Sequence, residues 1–394
     1  MFITDPDTVL IIGAGGSVPF RLPLGGELID LIRHQLEAEI DALRPTRREI
    51  YGDEIAVRLS DYRGPYELRA NEFLLAKSFV DDDFYPGLDR APNLARIREM
   101  NSLRERLVGQ TSETIDDFIA LNSDISDETK IGIATVFFHA LYEPYARERG
   151  RWDLRQLSSR QLLQLEWRDP LPPHPKPIYR RNWIHHLINI VRHGITAGKV
   201  TPNNIVRIIN FNYDGILEAV LNEQFNNTGP RDDGEAFGDW NKYIKIVHPH
   251  GFMKPPERSV RNPVRIIRNW AETICVVNEA TRPEIEEQRQ EAKDWIIKAK
   301  EVFMVGFAIS GPNAEMLGLG ENKGHRQEWS IANFDGSSGL RRVAESFERN
   351  KNRRVTFHND EPGPLAVTFE PGTPESPLHI DEWFKLGIAG KMPG

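Results

Sequence analysis

Glycines, amides and histidines follow four short apolar runs of this sequence, and their types and spacing suit nucleotide binding. The first group is Gly13-Ala14-Gly15-Gly16-Ser17, directly after the apolar run Val9–Ile12. Glycines at such a turn let the backbone approach a pyrophosphate, and the N-terminus of a following helix offers unpaired N–H groups. The fingerprint G-x-G-x-x-G is incomplete because its third glycine position holds Val18, which disfavours a plain hydride-transfer site. A simple strand-to-helix turn stays open as the alternative.

The second group contains an amide and a carboxylate, Asn212 and Asp214, at the end of the apolar run Ile205–Phe211. Ligand-binding side chains gather at the carboxyl ends of strands in open α/β sheets. There, an amide can hold a sugar hydroxyl or a water molecule, and a neighbouring carboxylate can orient them. The alternative is that Asn212 or Asp214 only caps the helix predicted over Ile216–Leu221.

The third group, His248-Pro249-His250-Gly251, follows the strand predicted over Tyr243–Val247. A histidine at a strand end is a suitable general base because the unperturbed pKa of imidazole lies near neutral pH. A hydrogen-bonded structural histidine is the alternative. Two histidines alone are too few to hold a metal ion, and no third ligand is obvious nearby, so no metal site is predicted.

The fourth group comes after the apolar run Val302–Val305 and consists of Gly306, Ser310 and Asn313. It is again a glycine turn with small polar residues at a strand end. Each of the four groups is a weak signal by itself, and their order along the chain carries more information.

The elements that must position these groups alternate between strands and helices. This alternation predicts an α/β fold with a doubly wound, Rossmann-like parallel sheet. The predicted strands are Val9–Ile12, Ile205–Phe211, Tyr243–Val247, Thr273–Val277, Val302–Val305, Ser330–Phe334 and Val355–His358. The predicted helices include Leu28–Leu43, Ile131–Tyr142, Trp183–Val191, Pro283–Lys300 and Leu340–Arg349.

The segment of about 44–200 interrupts this alternation and is too long for a loop, so it is predicted to be a large helical insertion. The predicted domain then spans 1–358, with its core at about 1–45 and 200–358. Residues 359–394 are rich in proline and glycine, and we expect them to form a C-terminal arm or tail.

Composition excludes several classes of protein. The 394 residues carry 50 Lys and Arg against 58 Asp and Glu, a net charge of −8, which argues against a broad nucleic-acid-binding surface. The single cysteine, Cys275, allows neither an intramolecular disulfide nor a cysteine-rich zinc module. No run of 18 apolar residues and no signal-peptide pattern is present, so the expected location is cytoplasmic, with no membrane partner.

In their order along the chain, the four groups resemble the motifs of the sirtuin-like family, whose fold binds NAD. Gly13–Ser17 resembles the GAGxS loop of that family, Asn212-Tyr213-Asp214 its NxD motif, and His250-Gly251 its catalytic HG pair. The late turn at Gly306 is similar to a ribose-contacting turn in the branch that serves bacterial antiphage defence. The helix start at Thr114–Phe118 also resembles that branch.

The resemblance covers about 1–45 and 200–330 and implies an enzyme that cleaves NAD. Protein-deacylase sirtuins carry a four-cysteine zinc ribbon, which this chain cannot form. The resemblance therefore favours an NAD glycohydrolase of antiphage defence (abortive infection), with NAD as substrate and no metal. The implied cofactor-binding residues are Gly13, Ala14, Gly15 and Ser17 for the pyrophosphate, and Gly306, Ser310 and Asn313 for the adenosine ribose.

Three residues receive catalytic roles in this interpretation. Asn212 would hold a water molecule or the ribose hydroxyls, and His250 would accept a proton from one of them. Asp214 would orient Asn212 or bind the nicotinamide end. His248 would support these three residues without contacting the ligand itself. Loss of nicotinamide leaves a neutral molecule, so the reaction needs no strong general acid.

Two other classes of function stay open, a non-catalytic sensor of NAD or ADP-ribose and a zinc-free NAD-dependent deacylase or ADP-ribosyl transferase. An unrestrained NAD hydrolase would harm its host, so we expect control through a homo-oligomer. The resemblance also suggests a partner such as a HerA-like hexameric ATPase or a short Argonaute. The sequence lacks a G-x-x-x-x-G-K-[ST] loop, so an ATPase motor would have to come from such a partner.

Overall fold

The chain forms two compact units, which we call the sheet unit and the helical unit. A computed structural model describes residues 7–20, 22–43, 74–79, 90–109, 114–149, 183–226, 239–254, 263–276, 282–307, 309, 311–319, 327–332 and 353–357. The sheet unit comprises the described residues within 1–22, 156–255 and 280–394, and the helical unit those within 23–155 and 256–279.

Six strands and ten α-helices, with 3-10 helices between some of them, make up the regular structure of the described residues. The strands are Thr8–Ile12 (β1), Val206–Asn210 (β2), Ile244–Val247 (β3), Glu301–Val305 (β4), Gln327–Ala332 (β5) and Arg353–Phe357 (β6). The helices are Gly25–Leu43 (α1), Leu74–Ser78 (α2), Arg90–Val108 (α3), Ile115–Leu121 (α4), Ser126–Arg149 (α5), Trp183–Thr196 (α6), Ile216–Asn226 (α7), Pro263–Thr273 (α8), Pro283–Lys298 (α9) and Gly311–Met316 (α10).

The six strands form one parallel sheet in the order β3-β2-β1-β4-β5-β6. This order confirms the expected doubly wound, Rossmann-like α/β fold with a large helical insertion. The direction of strand order reverses between β1 and β4, and in open α/β sheets the crevice at such a reversal is where ligands bind. The carboxyl end of β1 is level with its neighbours, because Ile12 pairs with Asn210 on one side and Val305 on the other.

Burial explains why the central strands read as continuous apolar runs. Every residue of β1 and β4 is buried, as expected for parallel strands covered on both faces. On one side, α9 contributes Ala292 and Ile296 to the same hydrophobic cluster as Val302 and Trp329. This packed sheet is the rigid base from which the loops of the candidate site project.

The helical unit is held by contacts of its own. The carboxylate of Glu39 accepts hydrogen bonds from the N–H groups of Leu75 and Ala76 at the start of α2. At the other end of α2, the guanidinium of Arg268 donates to the carbonyls of Lys77 and Ser78. Full burial raises the pKa of Glu39 to about 7. A short helix thus has a carboxylate at its positive end and a cation at its negative end.

The capped helix start predicted at Thr114 is present, because the Thr114 hydroxyl accepts a hydrogen bond from the N–H of Asp117 at the start of α4. The strand predicted over Thr273–Val277 is wrong. Thr273 ends α8, and Ile274–Val276 form no strand although all three are buried. A short apolar run indicates burial but does not by itself specify a strand ladder.

The predicted domain limits, with a core at about 1–45 and 200–358 and an insertion at about 44–200, stay a prediction. Helices α1 and α8 belong to the helical unit, whereas α6 belongs to the sheet unit. The helix predicted over Leu340–Arg349 and the tail at 359–394 lie outside the described residues. No helix in the described ranges is long and apolar enough to cross a membrane.

Candidate active site at the carboxyl edge of the sheet

The four predicted groups all follow the carboxyl ends of strands in the sheet unit. Gly13 directly follows β1, Asn212 lies two residues after β2, His250 three residues after β3, and Gly306 directly follows β4. Since all these strands are parallel, the four groups lie at the same edge of the sheet. Two of them, at Gly13 and Gly306, flank the point where the strand order reverses.

The glycines of the first and fourth groups pack against each other. The N–H of Gly13 donates to the carbonyl of Val305, and the N–H of Gly15 donates to that of Gly306. A Cβ on Gly306 would lie 2.3 Å from the nitrogen of Gly16, and one on Gly13 would lie 2.5 Å from the oxygen of Gly306. The close approach of two backbones therefore requires glycine here, whether or not a phosphate binds.

This packing changes how the first loop can contact a ligand. The segment Ala14–Phe20 is a 3-10 helix rather than an open glycine turn. The N–H of Gly16 donates to the carbonyl of Gly13, so it is engaged within the loop, as those of Gly13 and Gly15 are across to the β4 turn. Within Gly13–Ser17, only Ala14 is partly exposed, and the other four residues are buried.

Ser17, Asn212 and Asp214 form a buried chain of hydrogen bonds. The Ser17 hydroxyl donates to Oδ2 of Asp214 at 2.6 Å, and the Asn212 amide donates through Nδ2 to the same hydroxyl oxygen at 2.6 Å. The backbone N–H of Asn212 donates in turn to the side chain of Asn210. Oδ1 of Asn212 is buried and has no hydrogen-bond partner among the described residues. A buried acceptor without a partner can accept a hydrogen bond from a hydroxyl group of a ligand or from a water molecule.

Asp214 is 3 % exposed, and burial is the main cause that raises its pKa to about 6. Hydrogen bonds from the Ser17 hydroxyl and the Ile216 N–H lower the pKa by smaller amounts, and nearby Glu218 raises it. The backbone N–H of Ile216 donates to Oδ1 of Asp214 at 3.1 Å, so the side chain of Asp214 satisfies the first N–H of α7. The side chain of Asn212 does not contact the helix N-terminus through any described bond.

His250, of the third group, lies in an aromatic environment that includes residues beside the second group. Its ring is nearly perpendicular to that of Phe211, with centroids 5.0 Å apart, and is inclined by 28° to that of Tyr213, with centroids 6.1 Å apart. Phe211 also packs on Phe307, the residue after Gly306, with centroids 4.7 Å apart. These rings connect the loops after β2, β3 and β4. A further link is the hydrogen bond from the N–H of Met253 to the carbonyl of Tyr213.

His248 has a different environment from His250. Its Nε2 lies 2.9 Å from Oε1 of Glu218, and both side chains are buried. The His248 ring stacks on Phe252 with centroids 4.1 Å apart, and the backbone N–H of His248 donates to the side chain of Gln288. These contacts hold both the ring and the backbone of His248 in place.

Several of these contacts are not evident in the sequence. Glu218 belongs to α7 and lies four residues after Asp214. From the sequence alone, it resembles an exposed position of the helix. Arg289 of α9 donates to the carbonyl of Pro249, and Trp183 of α6 donates through its indole N–H to the carbonyl of Gly16. Only the buried tryptophan has a detectable signal, as the first residue of an apolar helix.

Of the two remaining predicted residues, only Asn313 belongs to the described part of the chain. Asn313 is half-buried in α10, and its Oδ1 is buried without a hydrogen-bond partner in the described part of the chain. Ser310 lies outside the described residues.

Neither the comparison with protein-family models nor the comparison with curated proteins finds a match for this chain. Function must therefore be argued from the motifs and from the geometry of this edge of the sheet.

We expect ligand binding at this edge of the sheet to be independent of metal ions. The described residues contain no cluster of three or more histidine, cysteine or acidic side chains suited to a metal ion. If the ligand is NAD, as the sequence predicts, its binding to the purified protein should be unchanged after EDTA treatment, as measured by calorimetry against an untreated sample. Binding that EDTA abolishes and Zn²⁺ restores would instead assign a metal to His248 and His250.

Proposed function

We propose that this protein is an NAD glycohydrolase, which cleaves the bond between nicotinamide and ribose to give nicotinamide and ADP-ribose. The observation that carries the proposal is the buried, unpartnered acceptor of Asn212 at the carboxyl edge of the sheet. It lies in the second of four groups whose order matches the sirtuin-like motifs, on a sheet with the strand order of NAD-binding folds.

The reaction separates a leaving group from a sugar carbon. The pair of electrons in the bond between C1′ of the ribose and the pyridinium nitrogen leaves with nicotinamide, which becomes neutral. C1′ gains oxocarbenium character and is attacked by water, which loses one proton. The protein must hold the dinucleotide, place the ribose and the water, and accept that proton.

The chain offers a residue for each of these tasks. In our proposal, Oδ1 of Asn212 accepts a hydrogen bond from a ribose hydroxyl or the attacking water, and His250 accepts the proton. Oδ1 of Asn313 serves a hydroxyl of the other ribose. The loop at Gly13–Ser17 contacts the pyrophosphate near Ala14, because its glycine N–H groups are engaged by backbone carbonyls.

The biological setting is proposed from the resemblance alone. NAD cleavage would deplete the cofactor in an infected cell as an antiphage response. Such an enzyme needs restraint, and we include a homo-oligomer or a partner protein of the kinds named above in the proposal. A ligand can release that restraint only if it binds the active state better than the inactive one.

The direct test is to incubate the purified chain with NAD, alone and with the proteins encoded beside it, and to separate the products by chromatography. Equal amounts of nicotinamide and ADP-ribose, formed without any acceptor protein, are the expected result. NAD that is bound but recovered intact in both mixtures would indicate a sensor. Nicotinamide release that requires an acylated or acceptor protein would indicate a deacylase or a transferase.

An Asn212→Ala variant should lose at least about 100-fold in kcat/KM, because the reacting ribose or water is no longer positioned. Its stability should fall by about 1–3 kcal/mol, the cost of leaving the buried Ser17 oxygen without its amide donor, and the start of α7 should be unaffected because Asp214 bonds there. The matched control is Asn203→Ala, an exposed asparagine of the same unit. Normal turnover by a folded Asn212→Ala protein would remove this residue from the mechanism.

A further inference from the structure

The hydrogen atoms in the Ser17, Asn212 and Asp214 chain can be assigned from elementary chemistry. An ionised carboxylate only accepts hydrogen bonds, and a serine hydroxyl has a single hydrogen to donate. When Asp214 is ionised, Ser17 must donate to Oδ2 of Asp214, so its oxygen can only accept from Asn212. The atom of Asn212 that faces Ser17 is then its amide nitrogen. The acceptor Oδ1 is turned away from Ser17, toward the ligand in the proposed reaction.

Protonation of Asp214 reverses the direction of this chain. Oδ1 of Asp214 accepts from the N–H of Ile216, so an added proton goes to Oδ2 and is donated to the Ser17 oxygen. Ser17 is buried, and among the described residues its hydroxyl contacts only Asp214 and Asn212, so its hydrogen finds an acceptor only if Asn212 presents its oxygen. The Asn212 amide has to turn by about 180°, and it directs NH₂ instead of an oxygen toward the ligand.

From this geometry we infer that Ser17 is a positioning residue that transmits the ionisation state of Asp214 to the side-chain amide of Asn212. Asn212 offers an acceptor to the ribose or water when Asp214 is ionised and a donor when Asp214 is neutral. The catalytic consequence rests on the proposed function, whereas the coupling of the three side chains does not. Ser17 is thereby assigned a role different from a direct contact with pyrophosphate.

The charged and titratable groups around Asp214 place this change near neutral pH. The pKa of Asp214 is raised to about 6, mainly by burial; Glu218 of α7 contributes to this rise, and His248 after β3 opposes it. Ser17 and Ile216 stabilise the ionised form through their hydrogen bonds. The folded protein therefore carries the acceptor form above about pH 6 and the donor form below it.

The coupling can be measured without any enzymatic reaction. In protein labelled with ¹⁵N at asparagine side chains, the NH₂ resonances of Asn212, assigned by their loss in Asn212→Ala, should shift with a midpoint near pH 6. In Ser17→Ala this titration should disappear, because no hydroxyl connects the two side chains. The matched control Ser123→Ala, an exposed serine in the helical unit, should titrate as the wild type does.

Two further variants keep the test decisive if Ser17→Ala folds poorly. Ser17→Cys preserves the shape of the side chain but is a weak donor, and it should strongly reduce the titration. Asp214→Asn must give its oxygen to the N–H of Ile216, so its NH₂ faces Ser17 and fixes the reversed chain. The Asn212 resonances of this variant should be independent of pH and close to those of the wild type at low pH.

The activity readout is the pH profile of NAD cleavage. In the wild type, the ionised fraction of Asp214 falls about tenfold between pH 7 and pH 5, and kcat should fall at least as much. At pH 7.5, Ser17→Ala and Asp214→Asn should lose about tenfold or more in kcat, with little change in KM.

The outcomes separate this inference from the proposed function. An Asn212 titration that persists unchanged in Ser17→Ala, or that is absent from the wild type, overturns the coupling even if NAD is cleaved. A titration that behaves as expected in a protein that never cleaves NAD upholds the coupling and removes only the proposed reaction.

Discussion

Replacing His250 with alanine is expected to lower the rate of NAD cleavage by about 10²–10⁴-fold, the usual contribution of a general base. His250 comes from the loop after β3, and its ring contacts Phe211 and Tyr213 beside the chain that contains Asn212. In the proposed mechanism, loss of the imidazole removes the group that accepts the proton of the water or the ribose hydroxyl. The rate should be measured by nicotinamide release at saturating NAD.

Stability must be followed in the same experiment, because His250 is buried and alanine leaves a cavity. His250→Gln fills most of that space and keeps hydrogen-bonding groups but has no basic nitrogen, so it should be well folded and equally inactive. His34→Ala changes an exposed histidine of α1 and should keep normal turnover. If folded His250→Gln protein cleaves NAD at the wild-type rate, another group must be the base.

His248 is the alternative base that the structure brings forward, since Glu218 orients its imidazole as a carboxylate orients a catalytic histidine. However, His248 is also stacked on Phe252 and held at its backbone by Gln288. Removing one partner of a buried hydrogen-bonded pair leaves the other polar group unsatisfied, which typically costs about 1–3 kcal/mol. We therefore expect changes at His248 to affect folding before they affect chemistry.

The sequence predicts the frame of this site well because local signals determine it. Apolar runs bounded by turn residues predicted the strands before Gly13, Asn212, His250 and Gly306, and parallel pairing alone brings their ends to one edge. The same signal failed at Ile274–Val276, which is buried without joining the sheet. Burial and strand pairing are separate properties, and an apolar run reports only the first.

The contacts within the site could not be predicted in the same way, because they join residues far apart in the chain. Ser17 and Asp214 are 197 positions apart, and only the fold shows that the Ser17 hydroxyl connects Asp214 to Asn212. The sequence also assigned the glycines to a phosphate, whereas the structure adds a second reason for them, the contact between two backbone turns. Spacing along the chain gives no information on either of these two contacts.

That second reason leads to the largest expected effect on stability, a loss of about 3 kcal/mol or more in Gly306→Ala. The backbone of Gly306 has φ of 56°, a left-handed conformation that costs a residue with a Cβ about 1–2 kcal/mol. The new Cβ would also lie 2.3–2.5 Å from backbone atoms of Gly15 and Gly16, which are too close to remain where they are. Overpacking of this kind typically costs a further 1–3 kcal/mol.

Gly198→Ala is the matched control, because Gly198 has φ of 69° but nothing lies within 4 Å of the position that a Cβ would occupy there. It carries the backbone cost alone, about 1–2 kcal/mol. Thermal and urea unfolding of the two variants, followed by circular dichroism, should therefore show a clearly lower midpoint for Gly306→Ala. Equal midpoints would mean that the β1 and β4 turns separate easily. In that case a ligand would explain the glycines better than the contact between the turns does. Added NAD should then raise the unfolding midpoint of the wild type more than that of Gly306→Ala.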